Sequence, residues 1–383
     1  MSKFLRRKPN TVREVLEELG LSADTIDAAE LAGTDELLAI DAVVLPKPGK
    51  YTIDELATKV GADVEVVRMF WRALGFVDAI EGERSFTKRD VRVLRSLVEL
   101  TGAGLVDPEL SLRVARVIGL SMAQVATAIV DASEARAGRL REAVDDENVA
   151  SARDDSGSLP VRAAELLPFM SDVIDYSFRR HLRAAARRRL DLARSVDGVT
   201  QIVGFADLVR FTELSLKLDD RELDHVVGRF DQVINRTVVR HGGRIVKMIG
   251  DGAMFAATNP VSAALIGLEL SDAVADDQRL PGLRIGMASG QVLARDGDMY
   301  GPVVNLASRL VEIGRAGAVN VDLGIRDALA GDPRFSLRSL GDRALRHIGD
   351  TRVYRLRAGP AWRHGQLHDH GPDNDDRWSA RAE

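Results

Sequence analysis

GGRIVKMIGDGAMFA, residues 242–256, is the stretch whose reading decides the fold. Ile245, Lys247 and Ile249 alternate with Val246 and Met248 at the period of a strand. Gly250-Asp251-Gly252 interrupts the alternation, and residues 253–257 resume it. Two short apolar runs around a Gly-Asp-Gly centre predict a β-hairpin with Asp251 at its turn, where glycines let other groups approach closely. Lys247 would leave the same face as Asp251 if the strand continued that far. Alone, the stretch supports two readings. It fits an ordinary hairpin with a solvated Lys and Asp, since turns favour Gly and Asp for backbone reasons. It equally fits a carboxylate with a lysine beside it, able to hold a metal and a nucleotide.

The neighbouring segments extend the pattern. Residues 199–209 (VTQIVGFADLV) read as a strand running into Asp207, and 211–213 open a helix with Thr212 as a candidate cap. Residues 216–241 are helical, with Leu223, Val226, Val227, Phe230 and Val233 as the buried face. After the hairpin come a helix at 260–275, a strand at 283–289 and a helix at 302–313, the last preceded by GDMYG at 297–301. Residues 319–321 and 352–356 read as late strands. The order β-α-β-β-α-β is that of the ferredoxin-like class, with helices packed on an antiparallel sheet, which makes this half α+β.

The first half reads differently. Residues 11–140 are mostly helical. Within 51–76 (YTIDELATKVGADVEVVRMFWRALGF), Thr52 and Glu55 form a capping box, a helix runs to about Val60, Gly61 turns the chain and a second helix starts near Val64. Thr87 and Asp90 start a further helix through Leu100. This helix-turn-helix resembles the winged module of MerR-type regulators. A DNA reader should carry a basic second helix and a basic wing. Here Arg68 and Arg72 face Asp63 and Glu65, and Asp78, Glu81 and Glu83 precede Arg84, so a reused helical scaffold is expected in place of nucleic-acid binding.

Residues 105–137 continue in helices, with Leu110, Val114, Val117 and Ile118 on one side, expected to face a filled core. Residues 145–160 read as a loop. Residues 169–195 read as one long helix carrying Arg179, Arg180, Arg183, Arg187, Arg188, Arg189 and Arg194, with His181 among them. Such a basic helix can touch phosphates or anionic lipid; a solvated linker, or one paired with acidic groups of the next domain, is the expected reading.

Composition bounds the rest. A length of 383 residues suggests two domains, and a net charge of −5 gives no global case for nucleic-acid binding. The absence of cysteine excludes disulfides and thiolate metal sites. The basic start, MSKFLRRKPN, is followed by no apolar h-region, and no run of about 18 uncharged apolar residues is present. A soluble cytoplasmic protein with no stable membrane insertion is expected.

Four features converge in the second half: Phe205-Ala206-Asp207-Leu208 before Phe211-Thr212, Val246 to Gly252, Gly297 to Gly301, and Asn305-Leu306-Ala307-Ser308-Arg309. In this order they resemble the catalytic domain of class III nucleotidyl cyclases, and most of all the soluble actinobacterial adenylyl cyclases, which place a helical regulatory domain before one cyclase domain. The resemblance implies a regulatory domain at 1–168, a linker helix at 169–196, a catalytic domain at 197–358 and a tail at 359–383, which its composition makes disordered. It implies Asp207 and Asp251 as ligands of two divalent ions, Mg²⁺ or Mn²⁺, and Lys247 and Asp298 as the readers of adenine. Guanylyl cyclases usually hold Glu and a small residue such as Cys at the latter two places, so Lys with Asp implies ATP. Asn305 would orient the ribose, and Arg309, four residues on and on the same helical face, would stabilise charge at the α-phosphate. The implied reaction turns ATP into 3′,5′-cyclic AMP and pyrophosphate, in a homodimer whose two active sites lie at the subunit interface. One departure stands out: Arg210 occupies a place where the family usually has glycine. Two other readings are a nucleotide-sensing DNA-binding regulator and a slow cyclase-fold dimerisation module.

Overall fold

The structure, a computed structural model, describes residues 11–45, 47, 49–104, 107–145, 158–194 and 200–362. The basic start, residues 146–157 of the expected loop and the tail from 363 lie outside the described residues. Two compact units divide the chain, at 1–186 and 187–383.

The first unit holds α1 (Val12–Glu18), α2 (Ala23–Ala32), α3 (Asp35–Val44), α4 (Ile53–Val60), α5 (Val64–Ala73), α6 (Lys88–Gly102), α7 (Pro108–Asp145) and the greater part of α8 (Leu159–Arg194). The Thr52/Glu55 and Thr87/Asp90 capping boxes both form, and Gly61 ends α4 in the left-handed conformation. Ile53, Leu56, Val67, Phe70, Phe86 and Leu94 make the core of α4–α6. The arginines singled out in the sequence around α4 and α5 have acidic partners: Arg68 lies 3.4 Å from Glu65, Arg72 pairs with Asp78 at 2.7 Å and Arg84 with Glu55 at 2.9 Å.

Three features of this unit differ from the sequence reading. On α7, Leu110, Val114 and Ile118 do not face a core; each is close to half exposed. The packed side is instead the small stripe Ser111, Ala115 and Gly119. A Cβ on Gly119 would lie 2.4 Å from the Leu74 carbonyl oxygen, so close backbone approach, not side-chain hydrophobicity, chose that face. The segment Pro108–Ala132 is also long and apolar enough to cross a membrane by length and composition, where none was expected. Arg116 and Asp131 bracket its uncharged centre, which a search for wholly uncharged runs passes over. Finally, α8 begins at Leu159, with Pro168 inside it.

The second unit follows with β1 (Thr200–Leu208), α9 (Phe211–Ser215), α10 (Asp220–Arg240), β2 (Arg244–Ile249), β3 (Gly252–Ala257), α11 (Pro260–Ala275), β4 (Leu283–Gln291), β5 (Leu293–Arg295), β6 (Asp298–Tyr300), α12 (Pro302–Glu312), β7 (Ala318–Val321), α13 (Leu323–Ala328), β8 (Phe335–Leu345) and β9 (Gly349–Ala358). The main sheet has the order β2-β3-β1-β4-β7-β9-β8, and β5-β6 form a separate ribbon. The expected β-α-β-β-α-β order is present, but the sheet is mixed: β7 joins β4 in parallel. Side-chain alternation along the strands sorts the core into two layers. Ile202, Ala206, Phe255, Ile285 and Met287 belong to the layer that holds α10 and α11, whereas Val203, Met254, Ala256 and Ala288 belong with α12 on the other face.

Between β1 and α10 the chain does not run as one helix. The short α9 ends at Ser215, and Asp219 caps α10 with a capping box to Glu222. Thr212 is not the cap of α9; that position belongs to Arg210 at φ 62°, which makes no side-chain capping bond. The chain also stays on the core past β9: the Gly359 N–H donates to the Arg334 carbonyl, and Trp362 packs on Phe335 with ring centroids 6.3 Å apart.

Candidate active site

Asp207 sits near the end of β1, on the same sheet face as Val203 and Phe205, the face that carries α12. Its register partners are Gly252 on β3 and Arg284 on β4. The Arg284 guanidinium donates to Asp207 Oδ2 from Nε at 2.7 Å and lies 2.6 Å away through Nη2. Burial pushes the Asp207 carboxyl above its ordinary value; the Arg284 hydrogen bond and charge oppose this, and the Asp251 charge adds to it. Asp251 occupies the turn between β2 and β3, as the sequence predicts, and its carbonyl accepts a bond from the Leu208 N–H at 3.2 Å. That bond pins the turn beside Asp207. Gly252 is required there: a Cβ would stand 2.9 Å from the Ala206 carbonyl oxygen and 3.4 Å from Asp207 Oδ1.

Lys247 does not share a face with Asp251, because β2 ends at Ile249 and the turn intervenes. Its Nζ instead lies 2.6 Å from Asp298 Oδ2 on β6, and Asp298 Oδ1 accepts the Met299 N–H at 2.8 Å. Burial alone would raise the Asp298 carboxyl, but the Lys247 hydrogen bond, the Met299 amide and the Lys247 charge together hold it below its ordinary value. A β-bulge between Ile245 and Lys247 re-aims β2 just before the lysine.

Asn305 and Arg309 lie one turn apart on α12, Asn305 exposed and Arg309 partly buried and paired with Glu312. The helix is seated by Gly286 of β4, where a Cβ would stand 2.4 Å from the Val311 nitrogen and 2.6 Å from the Ala307 carbonyl oxygen. Arg210 holds the left-handed conformation at φ 62° and points to Glu213 at 2.7 Å. Its conformation supplies the reason a glycine suits that place.

All six expected residues therefore lie in the second unit, in two groups. Asp207 and Asp251 meet at the end of β1; Lys247 and Asp298 pair across β2 and β6, with Asn305 and Arg309 on the helix that follows β6. Among the described residues no hydrogen bond or ion pair joins the groups. Nor do three or more His, Asp or Glu side chains come together there. Two adjacent carboxylates suit a hard divalent ion that takes its remaining oxygens from a substrate's phosphates and from water. Arg284 and Gly286 escaped the sequence reading. The available signal was an arginine and a glycine inside an otherwise apolar strand, LRIGMASG.

Residues 193–358 match the family model described as the adenylate and guanylate cyclase catalytic domain. The chain is 34% identical over 300 residues to an adenylate cyclase of Streptomyces coelicolor, covering 78% of this chain and 76% of that protein. It is 32% identical over 321 residues to an adenylate cyclase of Glutamicibacter nicotianae, covering 80% and 78%. A pH-sensitive adenylate cyclase of Mycobacterium tuberculosis is 31% identical over 363 residues, covering 90% and 87%. Among solved structures, the adenylyl cyclase CyaB from P. aeruginosa is similar at 22% identity and a TM-score of 0.38, over 42% of this chain and 95% of that one.

Proposed function

The chain belongs to the class III adenylyl cyclases and is an adenylate cyclase, and from that premise we infer how its residues divide the work. The ribose 3′-hydroxyl of ATP attacks the α-phosphorus. The new O3′–P bond forms as the bond to the pyrophosphate oxygen breaks, and the hydroxyl proton passes to solvent. Asp207 and Asp251 would hold two divalent ions, Mg²⁺ or Mn²⁺, whose chemistry would be activation of the hydroxyl and neutralisation of the triphosphate. Lys247 donates to adenine N1 and Asp298 accepts from the 6-amino group. The observation that carries this reading is the 2.6 Å contact between Lys247 and Asp298, which brings together one donor and one acceptor, the two kinds of group that an adenine edge pairs with.

Asn305 orients the ribose and Arg309 stabilises the charge growing on the α-phosphate. To do so Arg309 must leave Glu312, whose side chain is half exposed; such a surface pair is worth only about 0–1 kcal/mol, so release is cheap. The aspartates and the base-reading group belong to opposite halves of each composite site, so the working unit is a homodimer with two sites at its interface.

The plan of a regulatory domain at 1–168, a linker helix at 169–196 and a catalytic domain at 197–358 fits the helical first unit and the α8 helix that leads to β1. Regulation runs through α8, which carries His181; the similarity to a cyclase named pH-sensitive over 90% of this chain supports pH as one signal. The helix-turn-helix serves as scaffold, since its arginines are paired. The location is cytoplasmic.

The test is cyclic AMP formation by the purified protein from ATP with Mn²⁺. Lys247→Glu combined with Asp298→Cys should cut kcat/KM for ATP steeply, by up to ~10⁴-fold, because polar groups left unpaired discriminate strongly. The parent's preference for ATP over GTP should be the same at about pH 6 and pH 8, because Asp298 is held charged across that range. An ATP rate within a few fold of the parent in the double variant would remove these residues from base recognition.

A further inference from the structure

A second concentration of positive charge lies on the same face of the sheet as α12, beyond that helix's C-terminal end. Ile313 and Arg315, which follow α12, join Arg338 and Arg343 of β8 and Arg355 and Arg357 of β9 around a cleft of about 450 Å³. Arg338 and Arg355 are direct register partners, so two like charges stand opposite each other, an arrangement that destabilises a strand pair. Among the described residues no carboxylate lines the cleft. The nearest acids in sequence are engaged elsewhere: Glu312 with Arg309, and Asp342 with Arg352 at 2.5 Å. Arg355 donates to the buried Asn320 Oδ1 at 3.0 Å, which fixes one guanidinium at the floor. Burial, with the Arg315 and Arg357 charges, pulls the Arg355 guanidinium below its ordinary value, which registers the mutual repulsion. Five arginines gathered with no carboxylate among the described lining residues, in a chain of net charge −5, repel one another, and an anion joining them would relieve that repulsion.

We propose that this cleft is a binding site for a free polyphosphate anion, separate from the nucleotide site. Guanidinium forks match phosphate oxygens two by two, and several forks around one concave cleft select a compact multivalent anion over a single carboxylate. Ile313 stands one turn beyond Arg309, so an anion held here would sit against the end of the helix that carries Asn305 and Arg309.

The probe is inorganic tripolyphosphate, titrated calorimetrically into the full-length protein in EDTA, so that binding through divalent ions at the aspartates is absent. Three proteins are compared: the parent, Arg338→Gln with Arg357→Gln, and Arg309→Ala. The parent and Arg309→Ala should bind alike, and the double variant at least ~10-fold more weakly for each arginine removed. Without anion the double variant should melt at or above the parent's temperature, because repulsion is relieved. Tripolyphosphate should raise the parent's melting temperature and leave the variant's unmoved. Absence of binding to the parent, equal binding to parent and double variant, or loss of binding in Arg309→Ala alone would each overturn the proposal. So would a lowered melting temperature of the double variant without anion, which would mark the arginines as structural. Anionic phosphatidylglycerol vesicles form a parallel arm; cluster-dependent binding to vesicles but not to tripolyphosphate would replace the free anion with a lipid surface.

Discussion

Arg210 occupies the place where the resemblance to the cyclases leads us to expect glycine, and its backbone explains what an arginine there costs. It sits at φ 62°, ψ 28°, in the left-handed region where a side chain with a Cβ is strained by about 1 kcal/mol. Its guanidinium gains only a pair with Glu213, both ends mostly exposed and screened by solvent. Arg210→Gly should therefore stabilise the protein by up to about 1 kcal/mol, read as a Tm rise of about 2–4 °C in a unit of this size. A fall in Tm would mean that the Glu213 pair outweighs the strain. At this scale the sequence was informative about identity but silent about conformation. The six candidate site residues could be proposed from sequence because each falls in an ordered motif, whereas nothing in Val209-Arg210-Phe211 announces a left-handed turn.

Among the elements, α12 is the one whose seating would govern the proposed chemistry, and Gly286 is its seat. Gly286→Ala would place a methyl group 2.4 Å from the Val311 nitrogen, backbone that cannot step aside without the whole helix moving. The expected result is a lower Tm and a kcat reduced by ~10²-fold or more, since a displacement of about 1 Å at positioning groups has that effect. Parent-like kcat and Tm would show that α12 rests elsewhere. Elements with one unbroken period were read correctly, α10 and the β2–β3 hairpin among them. The strand β8 was missed for a physical reason. Phe335 and Leu337 join one core layer, the register shifts between Ser339 and Gly341, and Leu340 and Leu345 join the other layer. A strand that changes sides at a bulge shows no alternation to a reader of sequence. On α7 the miss was of another kind: a helix that packs by close approach hides its contact face among Ser111, Ala115 and Gly119.

For the whole molecule, the proposed division of site residues into two groups would make activity a property of pairs of chains. Mixing inactive Asp207→Ala with inactive Arg309→Ala protein should restore up to about a quarter of parental activity, since random pairing makes half the dimers mixed and each mixed dimer has one intact site of two. Mixed dimers as inactive as either parent would end the shared-site reading. A second expectation concerns α8, which runs without a break from the helical unit to within a few residues of β1. A chain starting near Asp191 should lose whatever pH response the full-length protein has below about pH 7. Superimposable pH–rate profiles for the two would place regulation outside the first unit. The position of the pair proposed to read the base has a consequence for descent. Lys247 lies on β2, the outermost strand at one edge, and Asp298 on the β5–β6 ribbon outside the main sheet, whereas Asp207 stands on β1 between β3 and β4. On the proposed reading, mutation at the margin would leave the centre intact, so a lineage carrying this architecture could trade one purine for another while inheriting the same reaction unchanged.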